Sequence, residues 1–237
     1  MSGIDARMRA IRERIDAAAL RSGRDPASVR LLAASKTRPA ASVIAAATAG
    51  QIDFGENRVQ EADAKIGEVS AAEPPLDPAP VWHLIGPLQR NKARRAVALF
   101  DVIHSLDRAA LALELDRAAS AAGLRRRVLL QVNIDAEPQK AGVDAAGAAE
   151  LLDRVRACES LEAIGLMAIP KACDDPEEVR PSFARLRELL DSLQRLHPDL
   201  PQFCELSMGM SSDFEVAIEQ GATWVRLGTA IFGRRKQ

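Results

Sequence analysis

Short apolar runs and longer amphipathic stretches alternate along the chain. Ile4, Met8, Ile11 and Ile15 recur at helical spacing with charges between them, which predicts an amphipathic helix ending near Gly23. A regular rhythm then sets in. VRLLAAS (29–35), QIDFG (51–55), VWHLIG (81–86) and FDVIHS (100–105) read as strands. So do VLLQVNI (128–134), LEAIGLMAI (161–169), FCELS (203–207) and TWVRLG (223–228). A helical pattern follows each of the first seven, and a short tail follows the eighth. Strands alternating with helices give βαβ units and a parallel sheet. Eight such units in this length fit a closed barrel better than an open doubly wound sheet. The expected fold class is α/β, a single (β/α)8 TIM barrel with an extra N-terminal helix, forming one domain over residues 1–237. EPPLDPAP (73–80) reads as an extended loop, and Pro181 as the start or a kink of the helix of residues 176–196.

Composition removes several classes of function. Hydrophobic residues make up 47% and charged residues 27%, as in ordinary globular proteins, and the formal net charge is −1. That balance gives no global field for nucleic acid or an anionic membrane. Charges interrupt the N-terminal stretch, so it carries no apolar signal core, and no segment is apolar for long enough to span a bilayer. Cys158, Cys173 and Cys204 are odd in number and widely spaced, which argues against a disulfide framework or a zinc site. His83, His104 and His197 form no helical metal-binding pair. A cytoplasmic protein without a metal is expected.

In a barrel of this kind the strand C-termini face the site. They nominate Lys36, Glu56 and Asn57, His83 to Gly86, Ser105, Asn133, Met167, Ser207 to Ser211, and Arg226 to Thr229. A lysine buried at a strand end would lose part of its charge to desolvation and become a nucleophile toward carbonyls. The plain alternative is a lysine that reaches solvent or pairs with Glu56. LSMGMSSDFE (206–215) and RLGTAIFG (226–233) place Gly209 and Gly228 in loops after the last two strands. Ser212 and Glu215 fit a capping box, which predicts a helix start there with free amides suited to a phosphate. Amine chemistry on one side of the mouth and an anion cup on the other ask for a carbonyl compound bearing a phosphate. Pyridoxal 5′-phosphate (PLP) and a sugar phosphate both qualify.

Read in order, AASKTRP, FGENRVQE, WHLIGPLQRNK, HSLD, LLQVNI, EPQKAGV, GLMAIP, LSMGMSSDFEVAI and VRLGTAIFG resemble the pyridoxal phosphate homeostasis proteins. These are similar to the amino-terminal barrel of alanine racemase, the fold-type III PLP-binding barrel. The resemblance runs from residue 33 to 233. It implies that Lys36 carries PLP as a Schiff base and that Ser211, Gly228 and Thr229 hold the phosphate, with Ser207 and Met208 lining the approach. It further implies that Arg226 lies against the pyridine nitrogen and that Asn57 and His83 stand beside the ring. Arg58 occupies a position where many family members have tyrosine.

Three functions stay open on that basis: a non-catalytic PLP carrier that supplies apoenzymes, an amino-acid racemase, and a Schiff-base aldolase. A racemase needs acid/base groups on both faces of the substrate, and its second group is a tyrosine from an additional β domain. This sequence has no tyrosine and ends soon after its eighth unit, so that domain is expected to be absent. The familiar aldolases carry their lysine on a late strand, whereas Lys36 is on the first. An arginine against the ring nitrogen cannot take up a proton from it, which weakens the ring as an electron sink. The carrier reading is favoured, with PLP-dependent apoenzymes as partners and a monomer as the expected state. Of two basic clusters, Arg125–Arg127 reads as solvated surface, and Arg234–Lys236 could steer an anionic cofactor to the mouth.

Overall fold

The computed structural model describes residues 3–233; the cluster Arg234–Lys236 lies outside the described residues. Eight parallel strands close into a barrel in chain order. They are β1 (Arg30–Ala34), β2 (Asp53–Glu56), β3 (Val81–Leu84), β4 (Val102–Leu106), β5 (Arg126–Val132), β6 (Leu161–Ala168), β7 (Glu205–Ser207) and β8 (Trp224–Leu227). Pairing of Arg30 with Trp224 and of Ala33 with Leu227 joins β1 to β8 and closes the ring.

Nine α-helices accompany them among the described residues: α1 (Gly3–Arg21), α2 (Ala40–Thr48), α3 (Val59–Ser70), α4 (Ala93–Leu99), α5 (Ala109–Ala121), α6 (Ala148–Arg156), α7 (Arg180–Leu196), α8 (Phe214–Glu219) and α9 (Thr229–Phe232). Pro181 stands in the first turn of α7, where its missing N–H and fixed φ cost nothing, so the helix starts there instead of kinking. The strand β2 begins two residues later than the apolar run suggests. Gln51 Nε2 donates to Leu31 O (2.6 Å) and Asp53 O (2.8 Å), so a side chain takes the place of strand pairing at residue 51.

The period-2 alternation divides the apolar residues into two populations. Leu31, Ala33, Ile103, Val128, Leu130, Val225 and Leu227 point outward and join the helices in the main core. Leu32, Ala34, Ile85 and Trp224 form one cluster inside the barrel, and Val102, Leu129, Ile164 and Met167 a second. Between them the interior is polar: His83, His104, Ser207 and Arg226 are all buried. The extra helix α1 buries Met8, Ile11 and Ile15 and is tied to α8 by Arg14–Glu215 and Arg21–Glu219, each at 3.0 Å.

Candidate functional site

At the C-terminal end of β1, buried Ser35 is followed by a turn closed by Arg38 N–H donating to Ser35 O at 2.9 Å. Lys36 and Thr37 are its central residues, and Thr37 has φ +62°. A type II turn asks for positive φ at this position, but a β-branched residue rarely adopts it. The penalty is on the order of 1–2 kcal/mol. A neighbouring contact holds the turn, since Arg38 Nη2 donates to Gly233 O, and Pro39 stands at the N-cap position of α2.

The turn lifts Lys36 clear of the strand, so its side chain is exposed on the rim of the barrel mouth. The expected burial of Lys36, and the desolvation argued from it, are therefore overturned. The apolar run ends at Ser35, and the reverse turn decides where the next side chain goes. A different lysine is buried. Lys65 of α3 donates to Glu56 Oε1 (2.5 Å) and to Ser35 O (2.8 Å), while Ser35 Oγ donates to the same Glu56 oxygen (2.6 Å). Glu56 thus belongs to Lys65 and not to Lys36.

A cavity of about 420 Å³ opens at this mouth. Lys36, Asn57, Ser211, Arg226, Gly228 and Thr229 line it together, as do Ala34, Ile85, Ile169, Met210 and Ser212. Gly86 brings Asn57 to the edge, since a Cβ there would sit 2.3 Å from Asn57 O. Gly209 has φ +90°, and a Cβ on it would sit 2.6 Å from that of Ala217, so the loop after β7 folds tightly onto α8. Thr229 Oγ1 lies 3.3 Å from Ser211 Oγ, which joins the last two loops. The first amides of α9, beginning at Thr229, have no partners within their own helix. The capping box does not form. Asp213 Oδ1 accepts from Met210 N–H (2.6 Å), Glu215 is drawn to Arg14 (3.0 Å), and α8 starts at Phe214. Ser212 is released to the cavity wall.

Three of the expected site residues lie elsewhere. Met208 is fully buried in the outer core, because it points away from the barrel interior. Ser207 is buried beneath Arg226, and His83 lies deeper still, so neither reaches the cavity. The other strand-end candidates also stay out of it. Asn133 exchanges hydrogen bonds with the backbone of Glu137, Ser105 is buried, and Met167 belongs to an apolar cluster inside the barrel. Arg58 is exposed and pairs with Glu61 at 3.0 Å.

The interior polar groups form one connected chain. Arg226 Nη1 donates to Ser207 O (2.6 Å) and Oγ (2.8 Å), and Nη2 to Ala168 O (2.9 Å). His104 Nδ1 lies 2.9 Å from Ser207 Oγ, and His104 Nε2 lies 2.9 Å from His83 Nδ1. His83 Nε2 lies 2.9 Å from Asp53 Oδ1. Burial pulls the Arg226 guanidinium down to about 10, which still leaves it charged at neutral pH. Burial also holds both imidazoles below their ordinary value; Asp53 opposes this at His83, and the neighbouring His83 and Arg226 reinforce it at His104. Glu205 pairs with Arg30. The signal for His104 was its inward place on β4, two residues after inward-facing Val102. Lys65 gave no such signal, since its burial depends on where α3 crosses β2.

Residues 7–236 match the family described as alanine racemase, N-terminal domain. Proteins called pyridoxal phosphate homeostasis protein are 45% identical over 235 residues in Pseudomonas aeruginosa, covering 99% of this chain and 97% of that one. The Aquifex aeolicus protein of the same name is 43% identical over 231 residues, covering 97% of each. This chain belongs to the pyridoxal phosphate homeostasis protein family. A solved structure of the Synechococcus elongatus protein PipY, described with PLP bound, superimposes with a TM-score of 0.79 at 44% identity. It covers 94% of this chain and all of that one. The same barrel recurs in a D-threonine aldolase from Filomicrobium marinum at 19% identity (TM-score 0.70), a likeness of fold alone. Among the described residues no helix is long and apolar enough to cross a membrane, and no group of His, Cys, Asp or Glu could hold a metal ion.

Proposed function

We propose that this family member binds PLP at the barrel mouth, tethered through Lys36, and serves PLP supply to apoenzymes without catalysing amino-acid turnover. The observation that carries the reading is the lining of one cavity. The primary amine of Lys36 lines it together with two hydroxyls, Ser211 and Thr229, the start of α9 and buried Arg226.

The residues present fit the cofactor. Its volume suits a small ligand. Gly228 leaves space where even a Cβ would come within 3.1 Å of Ala34 O. PLP supplies an aldehyde, which condenses with a primary amine with loss of one water. Lys36 is the exposed amine at the mouth; Lys65, the buried one, is committed to Glu56 and Ser35. Ser211, Thr229 and the first amides of α9 would receive the phosphate, and Arg226 would face the ring. A permanently charged donor there leaves a ring nitrogen unprotonated, which disfavours carbanion formation on a bound amino acid. No tyrosine exists to act as an opposing acid/base group, and buried His83 does not reach the cavity. The names of the relatives, including that from Escherichia coli at 41% identity over 240 residues, support homeostasis over racemisation.

Titration with PLP tests the reading. The wild type should develop a visible absorption band that Lys36→Ala abolishes; an identical band in the variant contradicts it. Incubating the loaded protein with D- and L-amino acids and following α-proton exchange separates carrier from enzyme. Rapid exchange of either enantiomer would establish an enzyme.

A further inference from the structure

The interior chain has a direction, which follows from its ends. Asp53 is the partly solvated end, with a side chain 19% exposed at the start of β2. As a carboxylate it can only accept, so His83 Nε2 carries a proton. A neutral His83 then accepts at Nδ1, and His104 Nε2 must donate to it. Neutral His104 accepts at Nδ1, which leaves the Ser207 hydroxyl proton as its donor. Ser207 Oγ receives in turn from Arg226. Every proton points from the cavity toward the opposite end of the barrel, and no group in the chain is left over.

We propose that Ser207, His104 and His83 form a one-way hydrogen-bond relay that fixes Arg226 in the cavity wall, with Asp53 as the relay's terminal acceptor. All four are positioning residues, since none lines the cavity. The surroundings disfavour the charged form of both imidazoles. Burial does most of this, Arg226, Arg30 and Arg127 add to it, and only Asp53 and Asp101 oppose it at His83. The ring of Trp224 packs against His83, 4.8 Å between ring centroids, and the Arg30 guanidinium lies 3.7 Å from the Trp224 ring centroid. A protonated His83 would set its Nδ1–H against His104 Nε2–H, and a protonated His104 would turn Ser207 Oγ from donor to acceptor and so reverse that bond. Arg226 therefore keeps one orientation toward the ligand across the physiological range of pH. This rests on the reading that Arg226 faces the bound ring.

Two measurements test it. Long-range proton–nitrogen correlation spectra of the cofactor-free wild type report tautomers without reference to PLP. Both His83 and His104 should be neutral with the proton on Nε2, unchanged between about pH 5.5 and 8. A proton on Nδ1 of either ring, or a midpoint inside that window, overturns the relay. In the loaded protein, Ser207→Ala should weaken PLP about tenfold, the worth of one hydrogen bond to a charged group, and shift the visible maximum. At the far end, Asp53→Leu should shift the same maximum, while Asp53→Asn, which keeps an acceptor, should restore it. Unchanged affinity and maximum in Ser207→Ala and Asp53→Leu would reduce the chain to a packing feature. A wild type that takes up no PLP would remove the functional reading while the tautomer result stood on its own.

Discussion

Lys65 Nζ lies 2.5 Å from Glu56 Oε1, in the floor beneath the turn that carries Lys36. Both groups are buried, and Glu56 Oε2 finds no other hydrogen-bond donor. Removing one partner leaves a desolvated charge, whereas removing both does not. Lys65→Met should therefore destabilise the protein by about 3–5 kcal/mol in urea unfolding, and the double variant Lys65→Met/Glu56→Leu should recover most of that loss. A single variant as stable as the wild type would show that the pair does not anchor the turn.

Thr37 holds a left-handed conformation between Lys36 and Arg38. Glycine relieves the steric penalty but gives up rigidity, so Thr37→Gly should change folding stability by no more than about 1 kcal/mol. It should weaken PLP binding several-fold by loosening the turn that presents the amine. Thr37→Pro cannot reach positive φ and should lose both stability and binding. Calorimetry and a PLP titration of the two variants check the pair of outcomes.

Ser211 and Thr229 meet across the cup, 3.3 Å apart. Ser211→Ala and Thr229→Ala should each lower the affinity for PLP about tenfold, as expected for hydrogen bonds to an anion. Binding of pyridoxal, which has no phosphate, should be unaffected. Equal losses for both compounds would place the phosphate elsewhere.

Stability should fall on mild acidification. Unfolded histidine titrates near 6.5, and burial lowers His83 and His104 in the folded protein. Their contribution is fully present above about pH 7 and is lost as pH drops toward the folded values, because the unfolded chain then binds more protons. The slope approaches about 1.4 kcal/mol per pH unit for each histidine. The depressed carboxyls of Glu219 and Asp135 act in the same sense, but only near and below their ordinary range. Burial raises the Asp213 carboxyl, which acts in the opposite sense, favouring the folded state at low pH. Urea unfolding at pH 7 and pH 5 should show the loss, and His104→Gln should flatten it.

The barrel was legible because its strands keep strict alternation or continuous apolar character and its helices keep helical spacing. Strand boundaries moved by one or two residues, and at Gln51 the cause is a side chain that replaces backbone pairing. The cavity was legible in part, because Lys36, Asn57, Ser211, Arg226, Gly228 and Thr229 follow directly from the rule of strand C-termini. His83, Ser207 and Met208 do not line the cavity, for a related reason. The rule gives the end of a strand, but whether a side chain lines the mouth, the interior or the outer core depends on depth and phase. The exposure of Lys36 was hidden by a turn whose sense depends on Thr37, and the capping box was hidden by Arg14 of α1, 201 residues away from its partner Glu215.

The most direct test of the Lys36 tether is to load the protein with PLP, reduce it with borohydride and map the peptides by mass. A pyridoxyl adduct is expected on the peptide containing Lys36 and on no other. An adduct confined to another lysine, such as Lys65 or Lys140, would contradict it.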